Sequence, residues 1–451
     1  MRAMPAVVPP RPLRLFMLCY HFPPMGTTGA LRPARLLRYL PDDVVVDVLT
    51  VRDPPEGGGN AALLDEIAGR AERKEAPLRP HALQRVLEQG LAGATEGSWR
   101  SKALKTAATW LAWIPDRQVA WVDGAVQAGE ALILQRRPDV LFCTSPPHSL
   151  HLAGVELKRR SGVPLVADFR DPWTDNPERV WPSAVHRAHE RRLEARVLRA
   201  ADLVIANTPG NRTMLLASFP WLPAARVVVL ANGFDPARRA ALTAARPRAR
   251  GDGRREVLYT GHVYAGGVGA LDALAELLAL QPSLPRRVVF RFVGGMDPPV
   301  ARRARPLQAA GLLERAPAVP ADQVPALLAG ADALFYVVPP AGRHWIPSKV
   351  YDYLLAGKPV LAVLPRGDAW DVLERSGLGT LVEDLGSRRV AQGLKDALGR
   401  LLSGTLTVRP DEAFIATFDA RAQAAQLADW LRRLAARPAP GEPEAVAGRV
   451  A

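Results

Sequence analysis

The sequence has very little cysteine. Only Cys19 and Cys143 occur among 451 residues, and neither stands in a metal-binding spacing. This excludes a disulfide framework and a cysteine-based zinc site, and it suits a reducing compartment. We therefore expect a cytoplasmic protein.

Long apolar runs are also missing. No stretch of about 18 uninterrupted apolar residues occurs, so we expect no membrane-spanning helix. The N-terminal segment MRAMPAVVPPRPLRLFMLCY is interrupted by arginine and proline, and it does not resemble a signal peptide. With 48% hydrophobic and 23% charged residues, the composition is that of a folded, soluble globular protein.

Several catalytic signatures are absent. The chain has no G-x-S-x-G nucleophile elbow, no G-x-x-x-x-G-K-[ST] phosphate loop, no H-E-x-x-H motif and no Asp-x-Asp pair. His186 and His189 are three apart in a predicted helix, but no third ligand is near in the sequence. The sequence therefore predicts no metal ion and no bound cofactor.

Acidic residues are outnumbered by basic ones. Lys and Arg total 59 against 45 Asp and Glu, which gives a formal net charge of +14. Such a charge favours phosphates, anionic lipid surfaces or nucleic acid as partners, unless it only reflects a compositional bias. Because the basic residues are not interleaved with aromatics as in stacking modules, we expect no nucleic-acid partner.

Apolar strand-like runs alternate with helical stretches along most of the chain. The run at 13–19, a glycine-containing loop, a helical stretch and the run VVVDVLTV form a β-loop-α-β opening that recurs. The alternation predicts an α/β protein with two doubly wound Rossmann-like domains facing a cleft. The expected segments are 1–235 for the first domain, 236–255 for a linker, 256–410 for the second domain, 411–434 for a C-terminal helix and 435–451 for a disordered tail.

A long insertion, 52–138, follows the second predicted strand. Its helical stretches combine basic residues with tryptophans, a composition typical of membrane-surface segments. The alternative is an ordinary helical excursion whose tryptophans pack on the first domain. The basic residues are Arg85, Arg100, Lys102 and Lys105, and the tryptophans are Trp99, Trp110, Trp113 and Trp121.

Two β-α loops carry residues suited to ligand binding. Gly26 and Gly29 follow the first strand, where glycines let backbone amides approach a ligand, although a tight turn uses them equally. In DFRDPW, Asp168, Arg170 and Asp171 stand directly after a predicted strand. Paired carboxylates with an arginine suit a polyol or general-base help, and a salt-bridged loop is the alternative.

The most informative segment is RHWIPSKVYDYLLAGKPV, which begins at Arg343. Pro347 and Ser348 are typical of a helix start, where free amides and the helix dipole favour an anion. Lys349 adds a full positive charge, and this combination suits a diphosphate. Asp352, one turn after Ser348, is placed to accept bonds from ribose hydroxyls, unless Lys349 and Asp352 form a surface ion pair.

These segments resemble the retaining nucleotide-sugar glycosyltransferases of the GT-B fold, and in particular family 4 as found in bacterial surface-polysaccharide and O-antigen synthesis. The resemblance covers most of the chain. In family order it runs through YHFPPMGTTGALRPARLLRYL, PDVLFCTSPPHSLHLAG, VPLVADFRDPW, RRLEARVLRAADLVIANTP and VLANGFDP, and then through VLYTGHVY, RFVGG, ADQVPALLAGADALFYVVPP and PSKVYDYLLAGKPVLAVLPRGDAWDVLERSGLGTLVE.

The resemblance implies an NDP-sugar held mainly by the second domain, an acceptor held by the first, and transfer with retention and without metal or cofactor. Asp352 matches the second Glu of the family's Glu-x7-Glu motif. By position, the catalytic residues are Asp171, Lys349 and His148; the donor-binding residues are Gly26, Gly29, Gly261, His262, Arg343, Ser348, Lys349 and Asp352; the acceptor-binding residues are His21, Arg32, Asp168 and Arg170.

The chain departs from the family pattern at three places. His344 stands where the first Glu of the motif is expected, and His262 stands where many members carry Arg. A His often found after the TSPP strand is represented by Ser145, with His148 three residues on. An inactive glycosyltransferase-like scaffold and a sugar-nucleotide epimerase therefore stand as alternatives to transfer onto a saccharide or lipid-linked acceptor. A lipid-linked acceptor implies contact with the inner face of the plasma membrane.

Overall fold

The computed structural model describes residues 11–54, 59, 61–92, 98–99, 101–103, 106, 112–245 and 250–436. The chain divides into two units, and each unit is built from segments that are not contiguous in the sequence. The first contains the described residues of Met1–Asn207, Met214–Leu230 and Ala424–Ala451, and the second contains those of Thr208–Thr213 and Ala231–Gln423. Each unit has its own parallel sheet with apolar clusters on both faces.

The first unit is built on seven parallel strands. These are β1 (Leu13–Leu18), β2 (Val44–Val51), β3 (Ala71–Ala76), β4 (Val140–Ser145), β5 (Leu165–Phe169), β6 (Leu203–Ala206) and β7 (Val227–Val229). Their order is β3-β2-β1-β4-β5-β6-β7. The central strands are apolar along nearly their whole length because helices cover both faces. The order reverses beside β1, so the loops after β1 and β4 begin next to each other, where ligands of such sheets bind.

Seven helices follow these strands in the described part of the chain up to residue 218. They are α1 (Thr28–Tyr39), α2 (Ala61–Asp65), α3 (Ala82–Ala92), α4 (Val122–Arg136), α5 (Ser149–Ser161), α6 (Ala184–Ala200) and α7 (Pro209–Ser218). The start of α5 is fixed by Asp116, which accepts bonds from the Ser149 amide at 3.0 Å and from its hydroxyl at 2.6 Å.

The second unit repeats the plan with six parallel strands in the order β10-β9-β8-β11-β12-β13. They are β8 (Arg255–Thr260), β9 (Val288–Val293), β10 (Leu313–Ala316), β11 (Ala333–Val337), β12 (Val360–Leu364) and β13 (Gly379–Glu383). Its helices are α8 (Arg238–Ala244), α9 (Val268–Leu280), α10 (Pro298–Ala309), α11 (Val324–Gly330), α12 (Lys349–Ala356), α13 (Asp368–Arg375), α14 (Ser387–Leu402) and α15 (Glu412–Ala416).

A final helix, α16 (Ala420–Ala435), returns the chain to the first unit. Leu427 and Leu431 are fully buried, and they share an apolar cluster with Leu15 of β1 and Val48 of β2. The two ends of the described chain therefore complete one core.

The prediction of two doubly wound domains is confirmed, but several segments differ from expectation. The expected linker, 236–255, contains α8 and lies in the second unit, because Leu242 packs against an apolar cluster there. The expected single helix 411–434 is divided into α15 and α16. The tail after residue 436 lies outside the described residues.

The insertion is only partly helical, since it also supplies the edge strand β3. Trp121 is buried and donates a hydrogen bond to the Ala76 carbonyl at 3.1 Å. This tryptophan therefore follows the alternative in which the tryptophans of the insertion pack on the first domain. Trp99 is exposed, and Trp113 is covered by Arg117 at 4.4 Å. Arg100, Lys105 and Trp110 lie outside the described residues. Within the described part of the chain, no helix combines the length and apolar character needed to cross a bilayer.

Candidate functional site

The carboxyl edge of the first sheet brings three loops together. Because β1, β4 and β5 are neighbours in the sheet, the segments that follow them start side by side. These loops, the first turns of α1 and the end of β5 carry every predicted site residue of the first domain, namely His21, Gly26, Gly29, Arg32, His148, Asp168, Arg170 and Asp171.

A buried ion pair lies beneath this edge. Arg32 binds Asp168 through two parallel hydrogen bonds of 3.0 and 2.8 Å, and it donates a third, of 2.9 Å, to the Leu230 carbonyl. Thr144 donates another bond to Asp168 at 2.7 Å. Each charge is compensated by the other inside the protein, so the pair fixes α1 against β5. This geometry gives both residues a positioning role, while their contact with an acceptor stays a prediction.

Arg170 ties the three loops to one another. Its buried guanidinium donates to the carbonyls of Ser145 at 2.6 Å, Pro146 at 2.7 Å and Gly29 at 2.5 Å. A planar fork of donors is suited to hold several carbonyls in fixed positions. The salt-bridged alternative for DFRDPW therefore fits Asp168, which pairs with Arg32, whereas Arg170 binds backbone carbonyls instead of a carboxylate.

Gly29 is required where His21 packs against the start of α1. A Cβ atom at this position would lie 2.9 Å from the imidazole ring of His21. Thr27 Oγ1 lies 3.3 Å from His21 Nδ1 and holds the ring there. Gly26 is exposed in the preceding loop.

Asp171 differs from its two charged neighbours because its side chain is exposed. The protein packed around it nevertheless removes enough water to raise its pKa above the usual value, while Arg170 acts in the opposite direction. A carboxylate that is reachable yet poorly hydrated is a good hydrogen-bond acceptor for a ligand.

His148 is a buried, neutral imidazole. Its ring stacks on Trp173 with a centroid distance of 5.0 Å and an angle of 4°. Burial lowers its pKa well below the usual value, and the nearby His151 and Arg179 lower it further. Nδ1 is buried and has no hydrogen-bond partner among the described residues. Because an unpaired N–H costs more than an unpaired lone pair, we assign the proton to Nε2.

Two buried carboxylates of α6 hold the loop after β5, and the sequence prediction missed them. Trp173 donates from its indole nitrogen to Glu190 at 2.8 Å, and the Thr174 amide donates to Glu194 at 3.2 Å. Burial raises the pKa of Glu194 to about 7. The sequence signal that could have revealed them is a pair of glutamates four residues apart. They lie on the same face of the helix as the buried Val197 and Leu198.

In the second unit, the loop after β8 is fixed by a histidine–carboxylate contact. His262 Nε2 lies 2.8 Å from Asp297 Oδ1, and the Ala265 amide donates to Asp297 Oδ2 at 2.8 Å. Both bonds lower the pKa of Asp297. The imidazole therefore stands beside a carboxylate, which the family resemblance did not predict.

Lys349 lies next to this loop at the start of α12. Its Nζ sits 3.7 Å above the centroid of the Tyr259 ring and donates to the Tyr259 hydroxyl. Burial lowers the pKa of Lys349 to about 7. Gly261, with a φ of +100°, passes beside it, and a Cβ atom there would lie 3.8 Å from Nζ. A glycine at this position keeps the ammonium group approachable.

Some backbone amides in the first turn of α12 already have hydrogen-bond partners within the chain. The amides of Val350 and Tyr351 donate to the carbonyls of Pro347 at 3.0 Å and Ser348 at 3.2 Å. The exposed Ser348 makes no side-chain cap of this helix. The amides of Ser348 and Lys349 are therefore the first-turn donors suited to an anion.

Asp352 is paired with Arg238 of α8 rather than with Lys349. The two groups are 3.1 Å apart, from Nη1 to Oδ1, and each side chain is about a quarter exposed. The alternative in which Lys349 and Asp352 form a surface ion pair is therefore wrong. One carboxylate oxygen takes the arginine, and the other is the one suited to a ribose hydroxyl.

The segment before α12 is held through Asp368 of α13. Its carboxylate accepts the Gly210 amide at 2.9 Å, and His344 Nδ1 lies 3.9 Å from Oδ2. Thr208 donates to the His344 carbonyl at 3.1 Å. The His344 ring thus lies near a carboxylate, and the adjacent Arg343 is exposed. In the part of the chain that the structure describes, no three or more His, Cys, Asp or Glu side chains group as metal ligands.

Comparisons with known proteins agree with this picture. Residues 107–238 match the family described as Glycosyltransferase Family 4. No match was found among curated protein sequences.

Many solved structures share the fold. HepE from Anabaena, in complex with UDP and glucose, is 18% identical with a TM-score of 0.59, over 93% of this chain and 99% of that one. Sucrose-phosphate synthase from Thermosynechococcus elongatus is 15% identical with a TM-score of 0.62, over 94% and 99%. The lipopolysaccharide outer core galactosyltransferase WaaB, in its apo form, is 12% identical with a TM-score of 0.58, over 93% and 99%. The chain therefore shares the two-domain GT-B fold of these structures, and residues 107–238 are similar to family-4 glycosyltransferases.

Proposed function

We propose that this protein is a family-4 glycosyltransferase that moves a sugar from an NDP-sugar to a saccharide or lipid-linked acceptor in cell-surface polysaccharide synthesis, with retention and without a metal ion. The observation that carries the donor assignment is Lys349, a half-buried ammonium group resting on an aromatic ring. Burial disfavours the charged form of a lysine, and an anionic ligand compensates that cost. The similar HepE structures contain UDP and UDP-glucose, which makes uridine nucleotides the first probes to use.

The main requirement of this reaction is to stabilise the negative charge that develops on the leaving diphosphate. Burial lowers the pKa of Lys349 to about 7 in the free protein, and a bound diphosphate raises it, so the lysine carries its charge when the phosphate is bound. The amides of Ser348 and Lys349, together with the exposed Arg343, add donors at the same helix start. Such preorganised charge supplies the largest part of the stabilisation.

On the acceptor side, Asp171 and His148 have complementary properties. The exposed carboxylate of Asp171 suits a hydrogen bond from the attacking hydroxyl, and the raised pKa makes it a better proton acceptor than an ordinary aspartate. Neutral His148 donates through Nε2 and orients an oxygen of the acceptor. The leaving phosphate itself takes the proton in this scheme, so no stronger base is needed.

We further propose that the reaction takes place in the cytoplasm, at the inner face of the plasma membrane. A net charge of +14 supports this, as do Arg85 and Lys102 in the described part of the insertion. Co-sedimentation with anionic vesicles should fall as salt rises, because screening weakens electrostatic contacts. Equal partitioning onto neutral and anionic vesicles contradicts this proposal.

The experiment for the main proposal is an assay of the full chain with UDP-, dTDP- and GDP-sugars, with and without EDTA. We expect donor hydrolysis without acceptor, transfer with lipid-linked saccharides, and no loss of either in EDTA. Nucleotide binding without turnover supports the scaffold alternative, which His344 in the place of a glutamate motivates. Formation of an epimeric NDP-sugar supports the epimerase.

A further inference from the structure

A groove on the first unit lies outside the residues discussed as catalytic. It has a volume of about 420 Å³, and its walls are the loop after β5, the first turn of α6 and the second half of α7. The residues that define it are Thr174, Asp175, Trp181, Arg187, Met214 and Ser218.

Asp175 is the unusual group in this groove. Its side chain is 18% exposed, and the cations beside it, Arg187 and Arg191, are 3.6 and 3.8 Å away. Both distances exceed that of a hydrogen bond, so within the described residues the carboxylate has ion pairs but no hydrogen bond. A carboxylate can accept about four hydrogen bonds, and a mostly buried one gains from a ligand that supplies them.

The wall that carries Asp175 is rigid. Trp173 and Thr174 directly before it are bonded to Glu190 and Glu194, two carboxylates that are 4% and 2% exposed. Arg179 further along the loop bonds to Glu190 at 2.7 Å and stacks on Trp181 at 4.5 Å. A site ordered before its ligand arrives avoids the cost of ordering on binding.

The lining chemistry selects the class of ligand. An aromatic side chain, a carboxylate with no hydrogen bond from the described residues and guanidinium groups together match a polyol, whose C–H face packs on an aromatic ring and whose hydroxyls both donate and accept. The charges of Asp175 and the neighbouring Arg187 offset each other, so the lining does not select an anion, and its polar groups do not suit an aliphatic chain. A neutral sugar satisfies all of these groups.

We propose that this groove binds a saccharide, namely a sugar unit of the acceptor remote from the reacting hydroxyl. The inference rests on the proposed function. Thr174 is three residues after Asp171, so the groove begins within about 11 Å of chain from the carboxylate assigned to the acceptor hydroxyl. Remote binding of this kind contributes free energy that an enzyme uses to orient the reacting group.

The test uses saturation-transfer NMR on the full chain with methyl glycosides of glucose, galactose, mannose, rhamnose and N-acetylglucosamine. At least one should bind the wild type. Asp175→Ala and Trp181→Ala should weaken that binding about tenfold or more, whereas Trp181→Phe should stay near the wild type. Val180→Ala is the matched control, since Val180 is 91% exposed and adjacent to Trp181.

Near-ultraviolet circular dichroism checks the folding of each variant, and calorimetry with UDP checks the donor site of the second unit. If no glycoside binds the wild type, or if binding persists in Asp175→Ala and Trp181→Ala, the saccharide groove is wrong. If Asp175→Ala fails to fold, Trp181→Ala against Trp181→Phe decides the question. Failure of the wild type to bind UDP contradicts the donor proposal and leaves the result on the groove standing.

Discussion

Among single residues, we expect the charge of Lys349 to contribute most to donor binding. We expect Lys349→Ala to weaken UDP binding by about 1.5–3 kcal/mol, because it removes a charge-assisted phosphate contact. Lys349→Arg should keep most of the affinity, since it keeps the charge. Titration calorimetry measures both. Unchanged affinity in Lys349→Ala would show that the phosphate lies elsewhere.

The same lysine predicts a dependence on pH. Its pKa in the free protein is about 7, and binding of an anion raises that value, so binding takes up a proton above pH 7. Affinity for UDP-glucose should therefore fall, by up to about tenfold per pH unit, as the pH rises above 7. Calorimetry in two buffers of different ionisation enthalpy measures the proton uptake, and Lys349→Met should abolish it.

Glu194 gives a second pH effect, on stability. Burial holds its pKa at about 7 against 4.5 as the ordinary value, so the folded state binds more protons between these two values. The contribution of Glu194 to stability is thus largest below pH 4.5 and is lost as the pH rises through 7. Glu194→Gln should raise the melting temperature of the first unit at pH 8 and change it little at pH 4.5. An equal shift at both pH values would mean that Glu194 does not titrate in this range.

At the scale of elements, the contact between α1 and β5 depends on one buried pair. Arg32→Met leaves Asp168 buried without its cation, and we expect a loss of about 3–5 kcal/mol of unfolding free energy. Arg303→Met is the control, because Arg303 pairs with Asp272 at the surface and should cost far less. Chemical denaturation compares the two. Adding Asp168→Leu to Arg32→Met should recover part of the loss; no recovery would place the cost in lost packing.

The pattern of the central strands could be predicted because burial on both faces demands continuous apolar runs, as in VLFCTS of β4. The edge strand β3, AERKEA, could not, since its charged residues give no apolar alternation and its pairing with β2 defines it. Helix α8 was missed for a similar reason, because Leu242 alone anchors its apolar face.

Less of the candidate site than of the fold could be predicted from the sequence. Position after a strand indicated which residues gather at a sheet edge, and Lys349 at a helix start followed from its flanking Pro347 and Ser348. The hydrogen-bond partner of each charged group could not be predicted from its position after a strand or at a helix start. The sequence DFRD suggests a polyol site, yet Arg170 holds carbonyls of distant loops and Asp168 holds Arg32. Such partners lie far away in the sequence, so spacing does not reveal them.

At the scale of the whole molecule, the core of the first unit depends on the last described helix. We expect Leu427→Asp to destabilise that unit by several kcal/mol, because it buries a charge among the apolar residues packed under β1. Hydrogen exchange should then accelerate in β1 and β2 and stay slow in β8 and β9. Arg433→Ala, an exposed change on the same helix, is the control. Uniform loss of protection in both sheets would contradict this assignment.

The return of α16 to the first unit sets an order for folding during synthesis. Residues 231–423 complete the second unit before the ribosome has made the helix that the first unit needs. At ordinary synthesis speeds those roughly 190 residues take about 10–40 s, during which the apolar surface under β1 lacks its cover. The half of the protein that is made first therefore waits longest for its last element, and during that time its apolar surface is open to chaperones.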